Sequence, residues 1–162
     1  MRAGSRRIAS GVAVLAGFAI LSGCATSPPT AFGEEWVSEE AATEDYFQTA
    51  AHLELPPDQD WPDPGYTGTG PDGQPALYGA DLGKVDASFV WYCAWGRELV
   101  SPESSEDTRA QAMAHVLEVT ETPYYTVGLQ AGDREYWREQ VVDPLLQGDI
   151  EGVAKDVDTN CS

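Results

Sequence analysis

The sequence predicts an all-α protein, a small domain of four or five helices around a central buried helix, with a long ordered loop and one disulfide. Three observations lead to this prediction. The run from 85 to 100 is strongly apolar, the segments around it repeat apolar residues at helical spacing, and the few β-prone residues stand without a partner strand.

The central helix is expected over residues 85–100, VDASFVWYCAWGRELV. At about 100° per residue, Cys93 lies on a broad apolar face, and Trp91 and Trp95 form a second ridge beside it. A helix this apolar is buried on most sides, so several other elements must surround it.

Further helices are expected on both sides of this segment. The first covers residues 38–53, because Ser38 is a good N-cap and acids fill the first turn. The next starts at Ser104, in a capping-box pattern with Asp107, and ends before Pro123. Its expected inward stripe is Ala110, Met113, Ala114 and Leu117.

The C-terminal part is expected to hold two more helices. One opens at 132–133 and is interrupted by Asp143-Pro144, and the last starts near Asp149. The β-prone residues 124–127 are interpreted as an extended connector, since no partner strand is visible.

Residues 55–83 contain six prolines and six glycines, a density at which no regular element is expected. A loop this long in a compact domain is usually functional or disordered. Trp61, Tyr66 and Tyr78 favour a loop that is pinned to the body by apolar contacts.

The first 23 residues have the form of an export signal, with three arginines followed by an apolar core at 8–21. The core ends in Leu21-Ser22-Gly23-Cys24, which resembles the lipobox of bacterial lipoproteins. This resemblance implies cleavage before Cys24, a diacylglycerol on its sulfur, and a location on the outer face of the cytoplasmic membrane. The alternative is an ordinary secretory signal with a coincidental cysteine.

Ser5-Arg6-Arg7 is also similar to the start of a twin-arginine export signal, which would imply folding before export. Ala9 and Ser10 then stand where that family prefers bulky apolar residues. General secretion is therefore the favoured route, and the twin-arginine route stays open.

The predicted organisation is a signal peptide at 1–23, a lipidated flexible tether at 24–37 and a single helical domain at 38–162. Removal of the signal from the 162-residue chain leaves 139 residues, and loss of its three arginines takes the net charge from −18 to −21. This charge excludes nucleic acid as a partner and allows cations or basic proteins.

With Cys24 lipidated, two cysteines remain in an oxidising compartment, and Cys93 is predicted to pair with Cys161. Cys161 follows Val157 by four residues, which places both on one face of the last helix. The alternative is two free buried thiols. The bridge would contribute about 4 kcal/mol by the chain-entropy estimate.

No known catalytic motif is present, and no catalytic residue, metal or cofactor is predicted. The sequence has only two histidines, and His115-x-x-Glu118 is expected on a solvated helix face. Residues 58–63 alternate carboxylates in the manner of a calcium loop, but Pro62 stands at an expected ligand position and no closing glutamate follows. The sequence therefore favours a binding or interaction protein over an enzyme.

Aromatic residues are the feature most open to a functional use. Trp91 and Trp95, with Trp61, Tyr66 and Tyr78 from the loop, could line a groove for a glycan or a peptide. The same side chains could fill the core and fasten the loop, and this second interpretation is favoured because a small domain needs large residues in its core.

The body of the chain resembles small uncharacterised lipoproteins of high-GC Gram-positive bacteria. This resemblance rests on Trp-Tyr-Cys-Ala-Trp at 91–95, Gly-Asp-Ile at 148–150 and the final Asn-Cys at 160–161. It implies no activity.

The leading hypothesis is a lipid-anchored extracytoplasmic accessory or interaction protein, with the membrane and a protein at the cell envelope as its partners. The alternative is a lipoprotein that binds a small ligand, such as a cell-wall sugar or peptide. A cell-wall hydrolase is the less favoured third hypothesis.

Overall fold

A computed structural model describes residues 35–161, and this part of the chain is mostly helical with a small two-stranded sheet. The strands are β1 (Trp36–Ser38) and β2 (Leu77–Gly79), and the helices are α1 (Glu39–Ala50), α2 (Leu82–Val100), α3 (Glu106–Glu118), α4 (Ala131–Trp137), α5 (Asp143–Leu145) and α6 (Glu151–Asn160). A 3₁₀ turn (Val119–Glu121) and two π-helical segments (Tyr124–Gly128 and Arg138–Val142) lie between them. The predicted signal peptide, the lipobox and most of the tether fall on residues 1–34, outside the described residues.

Helix α2 is the element against which α1, α3, α6 and the π-helical segment at 124–128 pack. Eleven of its 19 residues are buried, and these include the unbroken run from 91 to 96. Six consecutive residues span more than one helical turn, so this part of α2 is covered on all sides. The helix ends at Ser101, before Pro102, as expected.

The predicted all-α fold is confirmed in part, because the described chain is mostly helical but β1 and β2 form an antiparallel pair. Trp36 stands opposite Gly79, and Ser38 opposite Leu77. β2 lies inside the segment in which no regular element was expected, and β1 contains the last residues assigned to the tether. The two strands are separated by a helix and a long loop, so a reading of local sequence offers no sign of their pairing.

Helix α1 begins as predicted, with the Ser38 hydroxyl accepting a hydrogen bond from Ala41 N at 3.4 Å. Helix α3 begins one residue later than predicted, because Ser105 rather than Ser104 accepts the bond from the backbone N–H three residues on. The Ser104 hydroxyl instead donates to Glu98 Oε2 at 2.8 Å.

The expected inward stripe of α3 is correct only for Met113 and Leu117, which are partly buried against the core. Ala112 and Val116 are the buried residues of the helix and Val119 is buried in the following turn, whereas Ala110 and Ala114 are exposed. Alanine and larger apolar residues occur on several sides of this helix, so periodicity alone does not select the buried side. Helices α2 and α3 pack against each other, and the small side chain of Ala112 is buried in the core to which both contribute.

Residues 124–127 were expected to be an extended connector, but they are part of a π-helical segment. Pro123 precedes the segment with helical backbone angles, and Thr126 N donates to Thr122 O at 3.0 Å. The side chain of Tyr124 then packs on Phe89 of α2, with ring centroids 5.0 Å apart. Packing against α2 thus overrides the β propensity of these residues.

The expected interruption at Asp143-Pro144 is wrong as well, since the chain stays helical from Ala131 to Leu145. The π-helical segment at 138–142 ends just before Asp143-Pro144, where the proline lacks the N–H that would continue the regular hydrogen-bond pattern. Pro144 has no N–H to donate to the carbonyl oxygen of Gln140, four residues before it. This oxygen faces Gly152 of α6 so closely that a side chain at position 152 would collide with it.

The predicted disulfide is confirmed, with Cys93 and Cys161 joined and their Cα atoms 5.4 Å apart. It fixes the end of α6 to the middle of α2. Gly96 allows this approach, because a Cβ at that position would lie 2.7 Å from Val157 Cγ2.

The loop between α1 and β2 is held to the helices by specific contacts. Trp61 packs edge-on against Tyr46 of α1, with ring centroids 5.9 Å apart. The Tyr66 hydroxyl donates to Asp86 Oδ2 of α2 at 2.6 Å, and Pro56 is fully buried. Among residues 35–161, no helix has the length and apolar character needed to cross a membrane.

Candidate functional site

The five aromatic residues proposed as a ligand surface do not form one surface. Trp91 and Trp95 are buried, with 2% and 0% of their surface exposed. Both indole Nε1 atoms donate to Glu54 O, each at 2.8 Å, so the two rings can be buried without an unpaired donor. The interpretation as core residues is therefore correct, and the proposed Trp91/Trp95 ligand ridge is not available as an exposed surface.

His115 covers this tryptophan pair, which corrects the expectation of a solvated histidine. Its ring centroid lies 4.2 Å from that of Trp95 and 5.5 Å from that of Trp91. Its Nδ1 is 3.1 Å from Glu118 Oε2 at the exposed side of the helix. Because the side of α3 that carries Ala112 and Val116 is the buried one, His115 faces α2.

The three loop aromatics are half-buried and fasten the loop. Tyr66 and Tyr78 pack together with ring centroids 5.0 Å apart, and the Tyr78 hydroxyl donates to Thr67 O at 2.7 Å. Trp61 makes its ring contact with Tyr46 instead. The polar atoms and rings of these side chains are engaged in contacts within the protein, so they contribute little to a ligand surface.

A cleft of about 460 Å³ lies between α1, α2 and the 3₁₀ turn after α3. Leu53, Trp91 and Pro123 provide its apolar walls. Its remaining lining is polar and mixed in charge, and consists of Asp45, Gln48, Thr49, His52, Lys84, Glu118, Glu121 and Thr122. Lys84 already pairs with Asp81 at 3.0 Å and approaches Asp45 at 3.9 Å.

A larger concavity, of about 580 Å³, lies between α2, the π-helical segment at 124–128, α4 and α6. We call it the acid–aromatic groove, after the two kinds of side chain that dominate its lining. Its residues are Val85, Asp86, Phe89, Tyr124, Gly128, Leu129, Asp133, Tyr136, Trp137, Asp156 and Asn160. Its size is within the range of small-molecule binding sites.

Four aromatic side chains line the acid–aromatic groove, and contacts with the core fix three of them. Phe89 packs on Tyr124, which also stacks on the buried Tyr92 with ring centroids 5.9 Å apart. Trp137 meets Tyr92 edge-on at 5.6 Å. Tyr136 is 60% exposed, so the groove combines fixed rings with one freely accessible ring.

Two carboxylates of the groove are oriented by hydrogen bonds. Asp156 Oδ2 accepts from the Tyr92 hydroxyl at 2.7 Å, and its Oδ1 accepts from Asn160 Nδ2 at 2.9 Å. Asp86 Oδ2 accepts from the Tyr66 hydroxyl at 2.6 Å. Burial raises the pKa of the Asp86 carboxyl, an effect that the bond from Tyr66 partly opposes.

The groove has three carboxylates and no basic side chain in its lining. None of the ion pairs found among residues 35–161 involves Asp86, Asp133 or Asp156. Lys155 lines a smaller neighbouring cavity, of about 210 Å³, rather than the groove itself. The negative charge of the groove is therefore not neutralised by an ion pair within the described part of the chain.

One of the aromatic residues of the groove has a buried polar atom without a partner. Trp137 is only 5% exposed, and in the described part of the chain its Nε1 has no hydrogen-bond acceptor. An unpaired buried donor costs free energy of about 1–3 kcal/mol. Because this atom is closed off from the surface, it is not available to a ligand in the groove.

Sequence reasoning did not find this groove. Asp133 and Trp137 lie one helical turn apart, as do Asp156 and Asn160, and this spacing shows that each pair shares a helix face. The sequence does not show that these two faces meet Phe89 and Tyr124, because four separate segments contribute to the lining. No family model, curated protein or solved structure matches this chain.

Proposed function

We propose that the protein is a lipid-anchored extracytoplasmic accessory protein, which engages a partner at the cell envelope through the acid–aromatic groove. The lipobox at 21–24 supports the anchor and the location at the outer face of the cytoplasmic membrane. The groove is the observation that carries the binding function, because aromatic rings and unneutralised carboxylates converge there in one concavity.

The anchor and the charge of the protein fit this role. Two acyl chains on Cys24 would hold the protein firmly at the membrane. Ten residues, 25–34, separate Cys24 from the start of the described chain, a reach of about 35 Å when extended. The net charge of about −21 for the mature chain would keep its body away from an anionic lipid surface and would favour basic partners.

The second candidate function is a lipoprotein that binds a free small ligand. The size of the groove favours it, since about 580 Å³ suits a small molecule better than an extended protein surface. Cell-wall sugars or peptides with positively charged groups would match the lining in charge.

A cell-wall hydrolase is the less favoured third candidate. The groove does bring carboxylates together, as such an enzyme would require. However, Asp86 and Asp156 each already accept a hydrogen bond from a tyrosine hydroxyl, so both carboxylates are engaged in contacts within the protein. Purified cell wall incubated with the protein and with an Asp86→Asn variant would reveal any hydrolysis that depends on this carboxyl.

Site-specific photocrosslinking in intact cells tests the proposed function. Tyr136→p-benzoylphenylalanine places the crosslinker at the groove with little change in shape, since Tyr136 is largely exposed. Phe47→p-benzoylphenylalanine is the matched control, because Phe47 is an exposed aromatic residue of α1 outside the groove lining.

We expect a light-dependent adduct in the membrane fraction from the Tyr136 position, weakened by a second change, Asp133→Asn. Equal adducts from both positions, or none at Tyr136, would rule out a protein partner in the groove. In the second case, native mass spectrometry of protein released from membranes would show a bound small molecule if the alternative is correct.

A further inference from the structure

We infer that the acid–aromatic groove binds an organic ammonium ion, with the positive group between the carboxylates of Asp86, Asp133 and Asp156 and the aromatic rings. This inference rests on the proposed function, in that it takes the groove to be the binding site. It specifies the chemistry of the group that the groove receives.

The aromatic rings supply the first part of the argument. A cation within about 6 Å of a ring face is attracted by the electrons of the ring, most strongly when water is excluded. Phe89, Tyr124 and Trp137 are held in the wall by core contacts, so they need no rearrangement to receive a ligand. Tyr136 at the exposed side could close over it.

The carboxylates supply the second part. Three acidic side chains line one concavity without a basic neighbour in the lining, and Asp86 is half-buried, so its charge is held at a cost in solvation. A bound ammonium group would offset this cost. It would also gain more from each carboxylate than it would in open water, because screening is weaker inside a groove.

The distribution of the carboxylates favours an organic cation over a metal ion. In the part of the chain that the structure describes, no three acidic, histidine or cysteine side chains are grouped closely enough to hold a metal. The groove carboxylates are therefore spread around the concavity, on α2, α4 and α6. Such spacing suits a bulky cation whose carbon substituents contact the rings.

Choline and butylammonium are suitable first probes. Choline carries a quaternary ammonium group, the kind of cation that aromatic sites recognise, and butylammonium tests whether a primary ammonium group is accepted.

Calorimetric titration of the full lipidated chain in a non-ionic detergent tests the inference. The probes are choline, butylammonium and 3,3-dimethyl-1-butanol, the neutral carbon isostere of choline, at constant ionic strength. We expect choline or butylammonium to bind at least about tenfold more tightly than the neutral isostere, in line with the size of cation–π and charge contributions.

Two single variants locate the site. Asp133→Asn and Tyr136→Ala change exposed groove residues, so both should fold normally and each should weaken binding several-fold. Asp158→Asn is the matched control, because Asp158 is an exposed acid of α6 that does not line the groove, and it should leave binding unchanged. Circular dichroism of each variant verifies the fold.

The inference is overturned if neither ammonium ion binds, if the neutral isostere binds equally well, or if Asp158→Asn weakens binding as much as Asp133→Asn. Failure here does not remove the proposed function. A groove-specific adduct from the Tyr136 position without ammonium binding would leave the binding role intact and reject only the ligand class. Ammonium binding without an adduct would retain the ligand class and reject the protein partner.

Discussion

The Tyr92 hydroxyl donates a hydrogen bond to Asp156 Oδ2 at 2.7 Å and thereby connects the buried middle of α2 to the acid–aromatic groove on α6. Tyr92 is fully buried, and it also packs against Tyr124 and Trp137 of the groove wall. One core residue therefore positions a carboxylate and two rings of the candidate site. The shape of the groove depends directly on the packing of the core.

This relationship predicts that the protein loses stability in alkaline solution. Burial, followed by the charge of Asp156, raises the pKa of Tyr92 above its ordinary value of 10.0, and burial raises the pKa of Tyr124 to about 12. Below pH 10 the contribution of these groups to stability is fully present. As the pH rises toward 12, the unfolded chain releases these protons and the folded protein does not, so stability falls.

Urea unfolding at pH 8, 10 and 11.5 measures this loss. Tyr92→Phe should lower the stability at pH 8 by about 1–2 kcal/mol through the lost hydrogen bond. Between pH 10.5 and 11.5 it should lose about 1.4 kcal/mol less per pH unit than the unmodified protein, because one titrating group is gone. An identical slope in both proteins would show that Tyr92 ionises normally.

Gly83→Ala should be strongly destabilising. A Cβ at Gly83 would collide with the Ala42 carbonyl and lie 2.8 Å from Tyr46 N, both of which belong to the backbone of α1. Since neither helix can yield locally, we expect a loss of about 3 kcal/mol. Gly132→Ala is the control, because nothing lies within 4 Å of the added methyl group, and alanine favours helix by up to about 1 kcal/mol. Thermal unfolding of both variants gives the comparison.

The burial of the tryptophans predicts which of them acrylamide can quench. Trp36 is 66% exposed on the sheet, whereas Trp95 is fully buried. Trp36→Phe should therefore remove most of the quenchable fluorescence, and Trp95→Phe should remove mainly the part that is protected. Equal quenching of the two variants would contradict the burial of Trp95.

Reduction of the Cys93–Cys161 disulfide should destabilise the protein by up to about 4 kcal/mol, because the bridge closes a loop of 68 residues. Intact mass before and after reduction should differ by two hydrogens. Cys93→Ser/Cys161→Ser should reproduce the stability of the reduced protein. Free thiols in the non-reduced protein would contradict the pairing.

The anchor prediction depends on Cys24, which lies outside the described residues. We expect Cys24→Ala to abolish incorporation of labelled palmitate and to move the protein from the membrane fraction to the soluble fraction. Ser27→Ala changes a nearby tether residue and should have neither effect. Membrane retention without Cys24 would mean that another part of the chain holds the protein there.

The sequence anticipated those features that depend on residues close together in the chain or on few alternatives. Ser38 and the acids after it predicted the start of α1, and the apolar run predicted α2, which begins slightly earlier than expected at Leu82. The disulfide followed because only two cysteines were left to pair and Cys161 shares a helix face with Val157.

Other features depend on which of several possible tertiary contacts forms, and local sequence does not show this. Two or more faces of α3 are sufficiently apolar to be buried, and contact with α2 selected the face of Ala112 and Val116. The residues around Tyr124 favour strand locally, yet packing on Phe89 made them helical.

By itself, the sequence determined a mostly helical body with an apolar central segment, one disulfide and a strongly acidic charge, because composition, periodicity and cysteine number express these directly. The lipid anchor at Cys24 stays a prediction from the lipobox. Only the tertiary structure paired β1 with β2, buried Trp91 and Trp95 on the Glu54 carbonyl, and brought Asp86, Asp133 and Asp156 together around aromatic rings. These contacts join residues that are tens of positions apart, and their partners are selected by packing rather than by any local pattern.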